Sequence, residues 1–77
     1  MPEFSLRGIR RIAMKAGAER ISKEAMEVLR DLAEDYVLKI IKLALELAEH
    51  AKRKTIRKED VLMAARIINR ESWVIEY

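Results

Sequence analysis

Five of the seven residues from Lys52 to Lys58 are basic, namely Lys52, Arg53, Lys54, Arg57 and Lys58. Arg7, Arg10, Arg11, Lys15 and Arg20 populate the first quarter of the chain. Between these groups, Glu24, Glu27, Asp31, Glu34 and Asp35 stand against a single base, Arg30. The chemistry such clusters offer is the holding of a polyanion. Sixteen basic residues against thirteen acidic ones give a net charge of only +3, which is weak evidence taken alone. Distribution says more: positive charge near element ends and negative charge on a helix middle is the pattern expected when loops meet a polyanion and a helix faces water.

Other chemistry is poorly served. There is no cysteine and one histidine, His50, which excludes disulfides and an ordinary zinc site and leaves no metal expected. Catalysis would need an arranged nucleophile or a paired-carboxylate motif, and neither is recognisable. The expectation is a protein that is not an enzyme, has no cofactor and takes no small-molecule substrate.

Three elements must position these charges. Helical spacing begins after Ser5 with Leu6, Ile9, Ile12, Ala13 and Ala16, and Gly17 caps the end, leaving Ala18 to Ile21 as a short loop. Ser22 is a good N-cap, with Glu24 in the first turn where the helix dipole favours an acid. From there nothing breaks a helix as far as Ala51, so about 28 residues span roughly 42 Å. One face carries Met26, Leu29, Ala33, Tyr36, Val37, Ile40, Ala44, Leu47, Ala48 and Ala51. A second apolar group, Val28, Leu32, Ile41, Leu43 and Leu45, widens that stripe beyond what one short helix covers. Lys52 to Ile56 form a tight basic loop. Helical spacing then resumes through Val61, Leu62, Ala64, Ala65, Ile67 and Ile68, with Glu59 and Asp60 in the first turn, and decays after Asn69. Residues 1–69 are read as one all-α domain and 70–77 as an extension holding Trp73, Val74, Ile75 and Tyr77.

Seventy-seven residues make at most one small domain. Such a domain buries only about 60% of the surface its unfolded chain exposes and needs a staple or a partner. With disulfides and metal excluded, the wide stripe of the long helix points to a second molecule, most economically a copy of the same chain. The composition, 51% hydrophobic, 5% aromatic and 38% charged with two glycines and one proline, suits an almost wholly helical protein. No apolar stretch reaches the roughly 18 residues of a membrane span, and Val37 to Leu47 is broken by Lys39, Lys42 and Glu46. Met1 to Arg10 lacks the apolar core and small-residue site of a signal peptide. An intracellular protein is expected.

The segment Ala16-Gly17-Ala18-Glu19-Arg20-Ile21-Ser22 and the segment Arg53-Lys54-Thr55-Ile56-Arg57-Lys58-Glu59-Asp60-Val61 resemble the two loops of archaeal histones, as does His50-Ala51 before the second loop. The likeness runs without a gap over about residues 6 to 68. It implies a histone fold of short, long and short helices that forms an obligate head-to-tail dimer. It implies further that Arg20 enters the DNA minor groove, braced by Thr55 of the partner chain, while Lys54 and loop amides hold phosphates. Arg11 and Lys15, with Arg7 on the same face, would make a third phosphate site, and Arg57 adds charge to the second loop. Arg53 and Asp60 would form an ion pair within one chain. Leu47 and His50 would meet a second dimer, where His50 bonds that dimer's Asp60. Gly17 fits close stacking of dimers as well as a helix cap. Lys52 stands where the family usually has glycine, putting in question the usual end of the long helix, and Met14 replaces a commonly polar residue.

Plainer alternatives stand beside these roles. Arg20, Arg11 and Lys15 can be solvated helix-end charges, and His50 an exposed histidine. Trp73, Ile75 and Tyr77 either fold back on their own dimer or join two dimers into a tetramer. The resemblance implies an architectural chromatin protein of the cytoplasmic nucleoid that binds and compacts double-stranded DNA with little sequence preference. The rival readings are a histone-fold subunit of a transcription factor or protein scaffold, and a helical oligomer with no nucleic-acid role.

Overall fold

The computed structural model describes residues 3–76, with side chains from Glu3 to Arg70. Its elements are α1 (Leu6–Lys15), α2 (Lys23–His50) and α3 (Lys58–Glu76), and no strand occurs among the described residues. The chain is therefore all-α, with a 28-residue helix between a short one and one of 19 residues.

Local chemistry fixes each boundary. The Ser5 hydroxyl accepts the Gly8 N–H at 3.1 Å and starts α1. At α2 the Ser22 hydroxyl does the same for the Ala25 N–H at 3.0 Å. Such caps satisfy donors that the first helical turn leaves unpaired. Both α1 and α2 end in a Schellman motif. At α1 the Gly17 N–H reaches the Met14 carbonyl and the Ala18 N–H the Ala13 carbonyl, each at 3.0 Å. At α2 the Lys52 N–H reaches Glu49 and the Arg53 N–H reaches Ala48, each at 2.9 Å.

That motif places its pivot residue in left-handed backbone. Gly17 has φ of 100° and Lys52 has φ of 59°. The lysine thus adopts the same left-handed turn as Gly17, at the steric cost of a Cβ in this region. Among the described residues, Lys52 is the only non-glycine with positive φ.

The apolar pattern fades after Asn69, yet α3 continues to Glu76. Helix propagation rests on backbone hydrogen bonds, and no glycine or proline from Arg70 to Glu76 interrupts them. Residues 70–76 are thus a prolongation of α3. The side chains of Trp73, Val74 and Ile75, and all of Tyr77, lie outside the described residues.

Two compact units divide within α2, after Tyr36. In the first, Ile9 is the one buried apolar side chain, with Leu6, Ala13, Ile21, Met26 and Ala33 half-buried. In the second, Ala44 and Ala48 of α2 and Ala64 of α3 have no exposed area, and Ile40, Leu43, Leu47, Ile56, Ile67 and Ile68 are half-buried. No large side chain among those described is fully buried. Meanwhile Val28, Leu32 and Leu38 of α2 and Leu62 of α3 are each more than half exposed, and Leu29, Tyr36, Val37, Ile41, Leu45, Val61 and Met63 are exposed as well.

Replacing Lys52 with glycine removes an αL cost of about 1–2 kcal/mol and returns about 0.5–1 kcal/mol of chain entropy. Lys52→Gly is therefore expected to raise stability by roughly 0.5–1 kcal/mol per chain in denaturant melts. Gly17→Ala should lower it by about 1 kcal/mol, purely through conformation, because a Cβ there meets no atom within 4 Å. Equal stability of Lys52→Gly and the parent would contradict the left-handed turn.

Candidate nucleic-acid interface

The loop between α1 and α2 presents Arg20 as an exposed residue. Arg20 borders an open cleft of about 300 Å³ in the first unit, whose apolar lining includes Met14, Ile21 and Met26 and whose rim also carries Arg10. Arg10 and Arg20 are both exposed. On α1, Arg7, Arg11 and Lys15 are exposed and recur every four residues, which keeps them on one helical face.

The second loop is organised around one carboxylate. Asp60 lies at the start of α3 and is buried, with 6% of its surface exposed. Arg53 donates to it in the bidentate manner, Nη1 to Oδ2 and Nη2 to Oδ1, both at 2.9 Å. The Arg57 backbone N–H gives Oδ2 a further bond at 2.8 Å, while the Arg57 carbonyl accepts from the Asp60 N–H at 3.0 Å. The Asp60 side chain thus supplies the N3 half of a capping box for α3, accepting the N-cap N–H. Arg53 Nη1 also donates to the Thr55 carbonyl at 3.0 Å, so the guanidinium ties the loop to the start of α3, while the Arg53 N–H holds the end of α2.

The charges respond accordingly. The hydrogen bonds from Arg53, then that from the Arg57 N–H, hold the Asp60 carboxyl down at about 2, against an ordinary 3.8. The same pairing raises Arg53 above its usual value. Arg53 is thus neutralised within the chain and fastens the loop. Lys52, Lys54, Thr55, Arg57 and Lys58 around it are exposed. The basic cluster therefore separates into one internal fastener and a set of outward cations, and it is the latter that could meet an anion.

His50 is exposed beside Glu46 and Glu49, and Leu47 is half-buried one turn earlier. No group of three potential metal ligands occurs among the described residues. No helix there is long and apolar enough to cross a membrane. Arg20 and the second loop belong to different units, and Trp73, Ile75 and Tyr77 contribute no described side chain.

Sequence reasoning missed two features. Glu34 Oε2 accepts the backbone N–H groups of Glu3 and Phe4, the latter at 2.9 Å, which ties the segment before α1 to α2. The acids of α2 had every appearance of a solvated face, and no local motif links residues 30 apart. The second is the role of Asp60 as acceptor for the Arg57 N–H, for which its place three residues after Arg57 was an available signal.

Residues 6–67 match the family model of the core histone domain. A subunit of the archaeal histone HAN1 from Thermococcus zilligii is 42% identical over 66 residues, covering 86% of this chain and 98% of that protein. Probable archaeal histone 3 of Methanocaldococcus jannaschii is 41% identical over the same length and the same shares. Histone H4 of Encephalitozoon cuniculi is 39% identical over 54 residues, 70% of this chain and 52% of its own.

The depressed Asp60 value has a definite pH consequence. A carboxyl whose folded pKa lies below its unfolded one contributes stability that is fully present above the unfolded value and is lost as pH falls through the folded one. Here that loss is expected between about 3.8 and about 2. Carbon-detected NMR titration of the Asp60 carboxyl should find a midpoint near the lower figure, and a midpoint near the ordinary value would mean that Arg53 does not hold it in solution.

Proposed function

Because this chain belongs to the core-histone family and is an archaeal-type histone, we propose that it binds double-stranded DNA as a head-to-tail dimer and compacts it with little regard to sequence. The observation that carries the reading is the sorting of charge at its loops. Arg53 is tied to Asp60, while Arg20, Lys54 and Arg57 stand exposed in the segments where the family likeness is strongest.

The need for a second copy comes from α2 and α3. Leu32, Val28, Leu38 and Leu62 are among their exposed apolar residues, and burying such a side chain contributes about 1.5–3 kcal/mol. Pairing two chains head to tail brings the first loop of one beside the second loop of the other. Arg20 then enters the minor groove with Thr55 of the partner chain bracing it, and Lys54 and the loop amides hold phosphate. Arg7, Arg11 and Lys15 from paired α1 helices supply a further phosphate site, and Lys52 and Arg57 strengthen the field. Guanidinium in a narrow groove and cations on phosphate read shape and charge rather than base edges, so sequence preference is slight. No step requires a cofactor or a catalytic residue, and the protein works on the chromosome.

Two dimers join through Leu47 and His50. Three bonds already reach the Asp60 carboxylate, so one lone pair on Oδ1 remains for a second dimer's His50. The tail adds to this contact through Trp73, Ile75 and Tyr77. The continuation of α3 to Glu76 makes these residues part of a helix rather than a separate tail. A second reading is pairing with a different histone-fold chain. The designation of the Thermococcus zilligii relative as one subunit of a histone favours it, and a requirement for a second chain in DNA binding would establish it.

Binding to mixed-sequence duplex should weaken as salt rises, with an exponent of about 0.9 per phosphate contact. In a folded dimer, Lys54→Glu is expected to lower that exponent by about 1.8, one contact per chain. Arg20→Ala should weaken binding to all sequences alike. Parental affinity and salt dependence in both variants would remove these loops from the interface.

Deleting residues 70–77 is expected to convert a tetramer to a dimer in analytical ultracentrifugation and to reduce DNA compaction. An unchanged mass would mean that the tail packs on its own dimer.

A further inference from the structure

Helix α1 has an unusual charge pattern for its position. It holds Arg7, Arg10, Arg11 and Lys15 and no acid, and its first turn, where the dipole favours negative charge, contains Arg7 instead. Packing holds it weakly, since Ile9 is its one buried side chain. The Ser5 cap satisfies a single donor.

The carboxylate that α1 lacks comes from α2. Glu34 Oε2 accepts both the Glu3 and the Phe4 N–H, immediately before the Ser5 cap. Two successive backbone donors on one oxygen fix the path of the lead-in segment, and the negative charge lies at the positive end of the α1 dipole. Both helices belong to the same compact unit over these residues.

We propose that Glu34 is a positioning residue for DNA binding: by holding the lead-in to α1, it sets the phosphate-facing row of Arg7, Arg11 and Lys15, although it touches no DNA itself. This rests on the DNA-binding reading above. The inference has an unusual sign. An acid on a protein that binds a polyanion ordinarily opposes binding, so its removal should strengthen the complex. If Glu34 positions α1, its removal weakens the complex.

The test uses the full chain with Glu34→Ala, Glu34→Gln and Glu34→Asp, and mixed-sequence duplex titrated by fluorescence anisotropy over a salt series. Glu34→Ala should bind more weakly, with the salt exponent lower by about 0.9 for each phosphate that α1 no longer holds. The amides of Gly8 and Ile9 should exchange faster with solvent, while the melting of the dimer changes little. Glu34→Gln, whose amide oxygen accepts the same two bonds, should keep the parental exponent. Glu34→Asp keeps the charge but is one methylene shorter, and should behave like Glu34→Ala. Should Glu34→Ala fail to fold, the contrast between Gln and Asp decides.

Equal or tighter binding by Glu34→Ala overturns the proposal, as does a loss in Glu34→Gln matching that in Glu34→Ala. These outcomes are separable from failure of the DNA-binding reading. If the parent chain does not bind duplex at low salt, or Arg20→Ala leaves binding unaltered, that reading falls first. If the parent and Arg20→Ala behave as expected while Glu34→Ala matches the parent, only the role of Glu34 is lost.

Discussion

The constraint on which everything else depends is that almost nothing large is hidden among the described residues of this chain. Among the described residues the fully buried positions are alanines, and the long aliphatic residues of α2 and α3 remain in contact with water. Alanine contacts permit close helix approach but remove little apolar area, and a protein of this length has a small margin between burial and the entropy of ordering. A partner surface, as in the proposed dimer, would therefore be part of the fold in energetic terms. In the proposed dimer, the contact that covers these side chains also assembles the DNA-binding surface, because each composite loop site draws on two chains. Folding, pairing and DNA binding become linked equilibria.

The loops show how a basic segment divides its labour. A run of cations near a polyanion must also avoid repelling itself apart. Asp60 resolves this by taking up Arg53 with both oxygens and by capping α3 through the Arg57 N–H. One acid thus stops a helix from fraying, restrains the loop and cancels one of several crowded charges. The turn at the other end of that segment uses a different device. Lys52 retains a left-handed backbone where a glycine would be less strained, so a cation is gained at a site that geometry alone would give to glycine.

Much of this was legible from residue types. Ser22 announced the start of α2, and Gly17 the end of α1, because capping is local chemistry that needs only a few neighbours. The end of α3 was not legible from apolar spacing, since that spacing reports burial, whereas a helix persists wherever backbone bonding is uninterrupted. The conformation of Lys52 was also hidden: a side chain type sets the cost of left-handed backbone but cannot show that the cost is borne. Glu34 was hidden for another reason. Its bonds cross some thirty residues of sequence to backbone amides, and amides carry no signature in the residue alphabet. Likewise, the five cations in seven positions look alike by residue type; the family resemblance singled out Arg53 as the partner of Asp60, and the coordinates supply its two-pronged geometry.

The Arg53–Asp60 pair also responds to heat differently from the surfaces around it. Charged groups are hydrated with a large entropy loss, so taking them out of water costs less as temperature rises, whereas apolar burial levels off. Asp60 is nearly enclosed and Arg53 is about three-quarters covered, with 7% and 23% of their side chains exposed. Warming therefore shifts the balance of forces in the second loop toward its ion pair. The fastener of this loop gains relative strength under the conditions in which both the protein and the duplex it is proposed to hold are closest to melting.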